Sequence, residues 1–259
     1  MPAASFPISY VLIFRQRALP RFLATFLTPK GQSEIRLLHR VEEAIKSVQE
    51  PDFPSGPLTI DVVETVASTP SFIRALSDFQ MKYSQVALSL VTGTSQQNYE
   101  KVLNRELDGA FFTGEFDLAP FKVAYEIREE VLLLTNADGH ASPLELANVT
   151  WVVFPKRCPL RAASVDWLHR QGVHAANTIE VSNLDTMLNC VRAGIGYTIL
   201  TESVIAEDDG RLRAHPVPER HRFVTTRLVT RKERLSSKAF EAFADCVREA
   251  GKRKRHQHT

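Results

Sequence analysis

The sequence has few of the features that mark secreted, membrane-spanning or metal-binding proteins. Only three of its 259 residues are cysteines, Cys158, Cys190 and Cys246, and none belongs to a Cys-x-x-Cys pair. An odd number of isolated cysteines favours a reducing compartment over a disulfide framework. No apolar run approaches the roughly 18 residues of a membrane helix. The apolar stretch 6–14 has no basic residue before it and no small-residue cleavage site after it, which argues against a signal peptide. We therefore expect a cytoplasmic protein with no membrane partner.

Common catalytic signatures are missing as well. The sequence has no G-x-S-x-G, H-E-x-x-H, P-loop or G-x-G-x-x-G motif. Glu129 and Glu130 are adjacent in a strand-like stretch, where neighbouring side chains point to opposite faces. A net charge of +2 does not by itself indicate nucleic-acid binding, and the basic run 251–259 is typical of a solvated tail. These observations predict a binding protein rather than an enzyme, with no metal site and no cofactor.

The sequence does contain a regular alternation of strand-like and helix-like segments. Hydrophobic residues make up 44% of the chain, which is enough for a buried core. Helices are expected to begin at Thr69-Pro70, with proline at the first helical position, and at Thr94, with Gln97 completing a capping box. These helices separate three predicted strands, and such a β-α-β-α-β series indicates a parallel sheet. The strands are 58–63, 85–93 and 107–114.

A second series follows the first. Two strands within 122–135, separated by a charged stretch, lead into strands at 150–154, 177–181 and 197–200, with helices between them. Ser182 and Asp185 are expected to cap the helix that Gly194 ends. The last strand and helix are predicted to return to the first unit. The fold class is therefore α/β, with two Rossmann-like subdomains around a central cleft. Subdomain I takes about residues 57–126 and 225–250, subdomain II about 127–224, and 251–259 form the tail.

Ligands of open α/β sheets bind beyond the carboxyl ends of the strands, where helix N-termini favour anions. Several of these positions carry hydroxyl residues, although each one singly can be a simple helix cap. They are Ser68, Thr69, Thr94, Ser95, Ser182 and Thr201. Arg161 falls in the first turn of a helix, where a cation is unfavourable and needs another reason to be present. Cys158 lies in the basic loop FPKRCPLR, where cations can lower a thiol pKa, although a loop cysteine without a redox role is the simpler interpretation.

Four stretches in order resemble the effector-binding domain of LysR-type transcriptional regulators. They are GPLTIDVVET (56–65), LSLVTGTSQQNYEKVLNRELDGAFFTG (88–114), WVVFPKRCPLR (151–161) and EVSNLDTMLNCVRAGIGYTILTESV (180–204). The resemblance implies a type II periplasmic-binding-protein-like fold and a small organic effector, often an anion. It also implies effector contacts at Thr69, Thr94, Ser95, Thr113, Arg161, Ser182 and Thr201. A periplasmic-type solute-binding protein is the alternative, which the missing signal peptide disfavours.

The segment 27–56 resembles the linker helix and hinge of the same family. LTPKG, at residues 27–31, resembles the end of the family's winged helix-turn-helix domain. The helix that follows carries an apolar seam of Leu38, Val41, Ile45 and Val48, spaced as in a coiled coil. This seam predicts a homodimer or homo-oligomer, although a seam this short can also pack on the chain's own body. Residues 1–26 are predicted to be a degenerate remnant of the helix-turn-helix domain, because they contain no visible recognition helix and Pro20 would interrupt one. The sequence therefore predicts a truncated regulator that does not bind DNA specifically by itself. DNA contact is expected only through the family's missing N-terminal domain or a full-length paralogue.

The seam generates a prediction about assembly. Replacing Leu38 and Ile45 together by aspartate should dissociate the dimer, because burial of each aliphatic side chain contributes about 1.5–3 kcal/mol. Sedimentation velocity of the wild-type and double-variant chains checks this. A wild-type chain that is monomeric at tens of micromolar would show that the seam packs within one chain.

Overall fold

A computed structural model describes residues 52–173, 177–205, 210–233 and 237–257 of the chain. The predicted seam of Leu38, Val41, Ile45 and Val48 lies outside the described residues, as do the predicted remnant 1–26 and nearly all of the linker. The described part has two lobes that share one pair of long antiparallel strands. This is the two-lobed α/β arrangement predicted from the sequence.

The first lobe is built on the predicted parallel series. Strand β1 (Gly56–Val62) pairs in parallel with β2 (Val86–Thr92) and with β3 (Gly109–Thr113). Between them lie three helices: α1 (Glu64–Ala67), α2 (Pro70–Lys82) and α3 (Ser95–Leu103). Both predicted caps are confirmed: Thr69 accepts a hydrogen bond from the Phe72 N–H, and Thr94 forms a capping box with Gln97.

The second lobe repeats the alternation with shorter strands. β5 (Thr150–Val153) pairs in parallel with β6 (Asn177–Glu180), and a single parallel bridge joins Trp151 to Tyr197 just before β7 (Thr198–Thr201). The helices are α4 (Pro143–Asn148), α5 (Pro159–Arg170) and α6 (Leu184–Arg192). Trp151 is fully buried, packs edge-to-face on Trp167 and donates its indole N–H to the Leu146 carbonyl at 3.2 Å.

Two strands cross between the lobes. β4 (Phe121–Asn136) and β9 (Phe223–Arg231) pair antiparallel from Phe121–Arg231 to Glu130–Phe223. β9 then pairs with β3 in the first lobe, while the end of β4 pairs with β7 and with β8 (Leu212–Pro216) in the second. The final helix α7 (Lys238–Gln257) packs on the first lobe, as predicted, with Phe243 edge-to-face on Phe79.

Four details of the sequence-based assignment differ from the structure. The two strands predicted within 122–135 are one continuous strand, because residues 126–130 keep pairing with β9 through their charged stretch. β8 was not predicted. Asn183, not Ser182, caps α6, since its side chain accepts from the Thr186 N–H at 2.9 Å. The last helix extends to Gln257 and so includes most of the segment predicted to be a tail.

The first lobe contains an ion pair that is buried on one side. Asp61 is 1% exposed and accepts a hydrogen bond from the Lys101 ammonium at 2.6 Å, while the Lys101 side chain remains 37% exposed. Removing one partner leaves a buried charge unpaired, which costs about 3–5 kcal/mol for a fully buried pair. Since Lys101 reaches solvent, the penalty here is smaller.

We predict that Lys101→Met lowers the free energy of unfolding by about 2 kcal/mol, because the Asp61 carboxylate loses its counter-ion. Adding Asp61→Asn should recover most of the loss. Lys122→Met is the control, since Lys122 pairs with Glu241 at the surface and should cost under about 1 kcal/mol. Urea unfolding checks all three. Equal effects of Lys101→Met and Lys122→Met would contradict the assignment of Asp61 as a buried charge.

Candidate functional site

A cavity of about 320 Å³ lies between the two lobes. Its first wall comes from the loops that follow the first-lobe strands, and its second wall from the loop between β5 and α5. The lobes approach each other closely here: a Cβ added at Gly114, directly after β3, would come within 2.8 Å of Pro159 at the start of α5. The volume falls at the lower end of the range for small-molecule sites. The lining residues are Val63, Glu64, Thr65, Thr92, Gly93, Thr94, Ser95, Gln97, Thr113, Phe154, Pro155, Cys158, Pro159, Leu160 and Ser182.

The N-terminus of α3 forms the polar part of the first wall. The Thr94 hydroxyl accepts from the Gln97 N–H at 3.3 Å, and the Gln97 side-chain oxygen accepts from the Thr94 N–H at 3.1 Å. This capping box fixes the direction of the first turn, so that its remaining N–H groups carry the positive end of the helix dipole. The arrangement favours a ligand oxygen with negative charge at this end of the cavity.

A hydrogen-bond network of buried hydroxyl residues holds this wall in place. The Thr113 N–H donates to the Ser95 hydroxyl at 3.0 Å, and the Thr113 and Thr226 hydroxyls are 2.8 Å apart. Ser95, Thr113 and Thr226 are all buried. The network therefore joins α3, β3 and the crossing strand β9, and it positions Ser95 at the cavity.

The second wall is mostly apolar and includes a thiol. Phe154 and Leu160 are buried beside Cys158, which is the N-cap residue of α5. Burial raises the pKa of the Cys158 thiol, and backbone N–H groups of Arg161 and Leu160 oppose that rise without reversing it. The positive charge of Arg161 in the basic loop also lowers the thiol pKa, but burial outweighs it and the net shift is upward. The loop-cysteine interpretation therefore fits better than a reactive thiolate.

Four of the seven predicted contact residues line the cavity: Thr94, Ser95, Thr113 and Ser182. Three do not. Thr69 is buried where it caps α2 and donates to the Val66 carbonyl at 2.9 Å. Thr201 is 2% exposed, with its hydroxyl 3.4 Å from that of Ser203. Arg161 donates to the Phe154 carbonyl at 3.0 Å and pairs with Glu180, which supplies the reason for a cation in the first turn.

The structure adds a residue that the sequence reasoning missed. Glu64 follows the end of β1 and lines the cavity together with Thr65. The rule that ligands bind at the carboxyl ends of strands applies to this position as well as to Thr94. In the sequence, the signal for contact residues is a hydroxyl residue at a helix cap, and a glutamate at the start of a four-residue helix does not carry that signal.

The fold and the cavity define a two-lobed ligand-binding domain of the periplasmic-binding-protein type. The sequence profile described as the LysR substrate binding domain matches residues 51–252. The HTH-type transcriptional regulator SoxR of Arthrobacter sp. (strain TE1826) is 35% identical over 216 residues, which are 83% of this chain and 73% of SoxR. GltR of Bacillus subtilis (strain 168), another HTH-type regulator, is 34% identical over 231 residues, 86% of this chain and 78% of GltR. The chain belongs to the LysR substrate binding domain family and is the effector-binding domain of a LysR-type regulator.

Solved structures agree on the fold. A full-length OxyR variant from Pseudomonas aeruginosa superposes with a TM-score of 0.65 at 19% identity, over 86% of this chain and 76% of that one. The effector binding domain of QuiR in complex with shikimate gives 0.61 at 15% identity, over 77% of this chain and 98% of that one. Among the residues that the structure describes, no helix is long and apolar enough to span a membrane. SoxR and GltR are transcriptional regulators and match this chain over most of its length. These matches do not favour the alternative of a periplasmic-type solute-binding protein.

Proposed function

We propose that this domain senses a small organic ligand with an acidic group, bound in the cavity between the lobes. The observation that carries the proposal is the cavity's composition: hydroxyl groups and the α3 N-terminus on one wall, and buried apolar side chains on the other. Such a combination holds the ligand's body by burial and orients it with a few polar contacts. QuiR, which shares the fold, was solved with shikimate, a small acid.

The contacts that we assign to the ligand are Thr94, Ser95, Thr113 and Ser182. We assign no ligand contact to Thr69, Thr201 or Arg161, since each is engaged within its own lobe. A ligand bound in this cavity favours the relative position of the two lobes in which both walls contact it. Because β4 and β9 are the segments common to both lobes, a change in the angle between the lobes passes through these strands.

We further propose that the protein acts in the cytoplasm by binding rather than by catalysis. Its relatives SoxR and GltR are transcriptional regulators. In this proposal the chain assembles through the predicted seam of Leu38, Val41, Ile45 and Val48. The ligand signal then reaches DNA through the family's N-terminal helix-turn-helix domain or through a full-length paralogue.

Ser182→Trp tests the cavity as the ligand site. Ser182 is exposed and lines the second wall, and Asn183 rather than Ser182 caps α6. An indole at this position should fill the cavity with little effect on folding. A panel of small carboxylic acids that includes shikimate is screened by thermal shift, and hits are measured by isothermal titration calorimetry. We expect every hit on the wild-type chain to lose at least about tenfold in affinity, or about 1.4 kcal/mol.

Ser84→Trp is the matched control. Ser84 is also exposed but lies in the turn before β2, at the opposite end of that strand from the cavity. It should bind each hit like the wild-type chain. Hits that bind Ser182→Trp unchanged would place the site elsewhere, and a panel without any hit would count against an acidic ligand.

A further inference from the structure

We infer that the ligand also carries a protonated nitrogen, which the Glu64 carboxylate binds, so that the effector is an amino acid or a similar zwitterion. This inference rests on the proposed function and narrows its ligand class. The charges around the cavity support it, because a site for an anion alone would favour a cation in its lining over an acid.

Glu64 is the one charged side chain among the described residues that line the cavity. The other polar lining groups are hydroxyls, the Gln97 amide, a thiol and backbone. A simple anion in this small volume would meet the Glu64 carboxylate with no lining cation to offset the repulsion. A ligand with charges of both signs would instead place its cation at Glu64 and its anion at the N-terminus of α3.

Within the described part of the chain, the Glu64 carboxylate is free to take a ligand. It has no hydrogen-bond or ion-pair partner among those residues, although its side chain is half-buried. By contrast, two acids of the crossing strands are paired: Glu126 with Arg227 at 2.6 Å, and Glu130 with Arg222 at 2.9 Å. An acid left without a partner in a concave site indicates a position whose counter-ion arrives with the ligand.

The cations of the neighbouring elements do not line the cavity. Arg161 pairs with Glu180 and with the Phe154 carbonyl. Lys101 pairs with the buried Asp61. Lys156 and Arg157 are exposed and line a separate depression of the second lobe. None of these four lines the cavity between the lobes, so none neutralises Glu64 there.

The test compares matched pairs of compounds on the full chain. Each amino acid is paired with the acid that lacks its amino group: alanine with propionate, leucine with 4-methylpentanoate, glutamate with glutarate, and phenylalanine with 3-phenylpropionate. Isothermal titration calorimetry measures each compound on the wild-type chain and on Glu64→Gln, which keeps the shape of the side chain and removes its charge. Glu106→Gln is the control, because Glu106 is exposed and outside the cavity lining.

We expect at least one amino acid to bind more tightly than its matched acid. Glu64→Gln should weaken that amino acid about 10- to 100-fold, because a hydrogen bond between charged groups is lost. The matched acid should bind Glu64→Gln as well as or better than the wild-type chain, since a repulsive charge is gone. Glu106→Gln should match the wild-type chain for every compound.

Three results would overturn the inference. In the first, acids bind the wild-type chain, Ser182→Trp blocks that binding, and adding an amino group does not raise the affinity. This result would leave the proposed function standing and refute the zwitterionic ligand. An amino acid whose affinity is unchanged in Glu64→Gln would show that its nitrogen is bound elsewhere. Absence of binding by both members of every pair would count against the proposed function as well.

Discussion

The antiparallel pairing of β4 with β9 is the constraint on which the rest of the structure depends. These strands pair from Phe121–Arg231 to Glu130–Phe223, and their register shifts by one residue at a single irregularity between Val123 and Tyr125. Each continues into a sheet of its own lobe, β9 beside β3 and β4 beside β7 and β8. A slip of one residue would turn every side chain of a strand to the other face. The pairing therefore fixes which loops of the two lobes face each other across the cavity.

Much of the fold was predictable because local signals and tertiary structure agree. Thr69-Pro70 and the Thr94 capping box mark helix starts by backbone chemistry that neighbouring elements do not override. Two failures came from tertiary contacts. The charged stretch 126–130 reads as a break in a strand, yet Arg227 and Arg222 neutralise its acids and pairing with β9 continues. β8 is short, largely exposed and ends in proline, so only its pairing with β4 identifies it as a strand.

The candidate site was predictable in part, and for one reason. Hydroxyl residues at helix starts locate the wall around Thr94 and Ser95, because capping and ligand binding use the same backbone geometry. The same criterion selected Thr69 and Thr201, whose hydroxyls are satisfied within the first and second lobes. It missed Glu64, whose position depends on how sharply the chain turns after β1. Arg161 stands out in sequence as a cation in the first turn, but its partner Glu180 is revealed only by folding.

The cavity combines a neutral hydroxyl wall, an apolar wall and, among its described lining residues, a single acid. This combination favours a zwitterionic ligand over a simple anion. The central claim is that one small molecule contacts both lobes at this cavity. Hydrogen–deuterium exchange of the full chain, with and without the tightest binder of the matched amino acid panel, tests it most directly. The account predicts slower exchange on binding in two separate regions, one within 92–98 on the first lobe and one within 154–162 on the second. Slower exchange confined to one lobe, or located away from both regions, would contradict it.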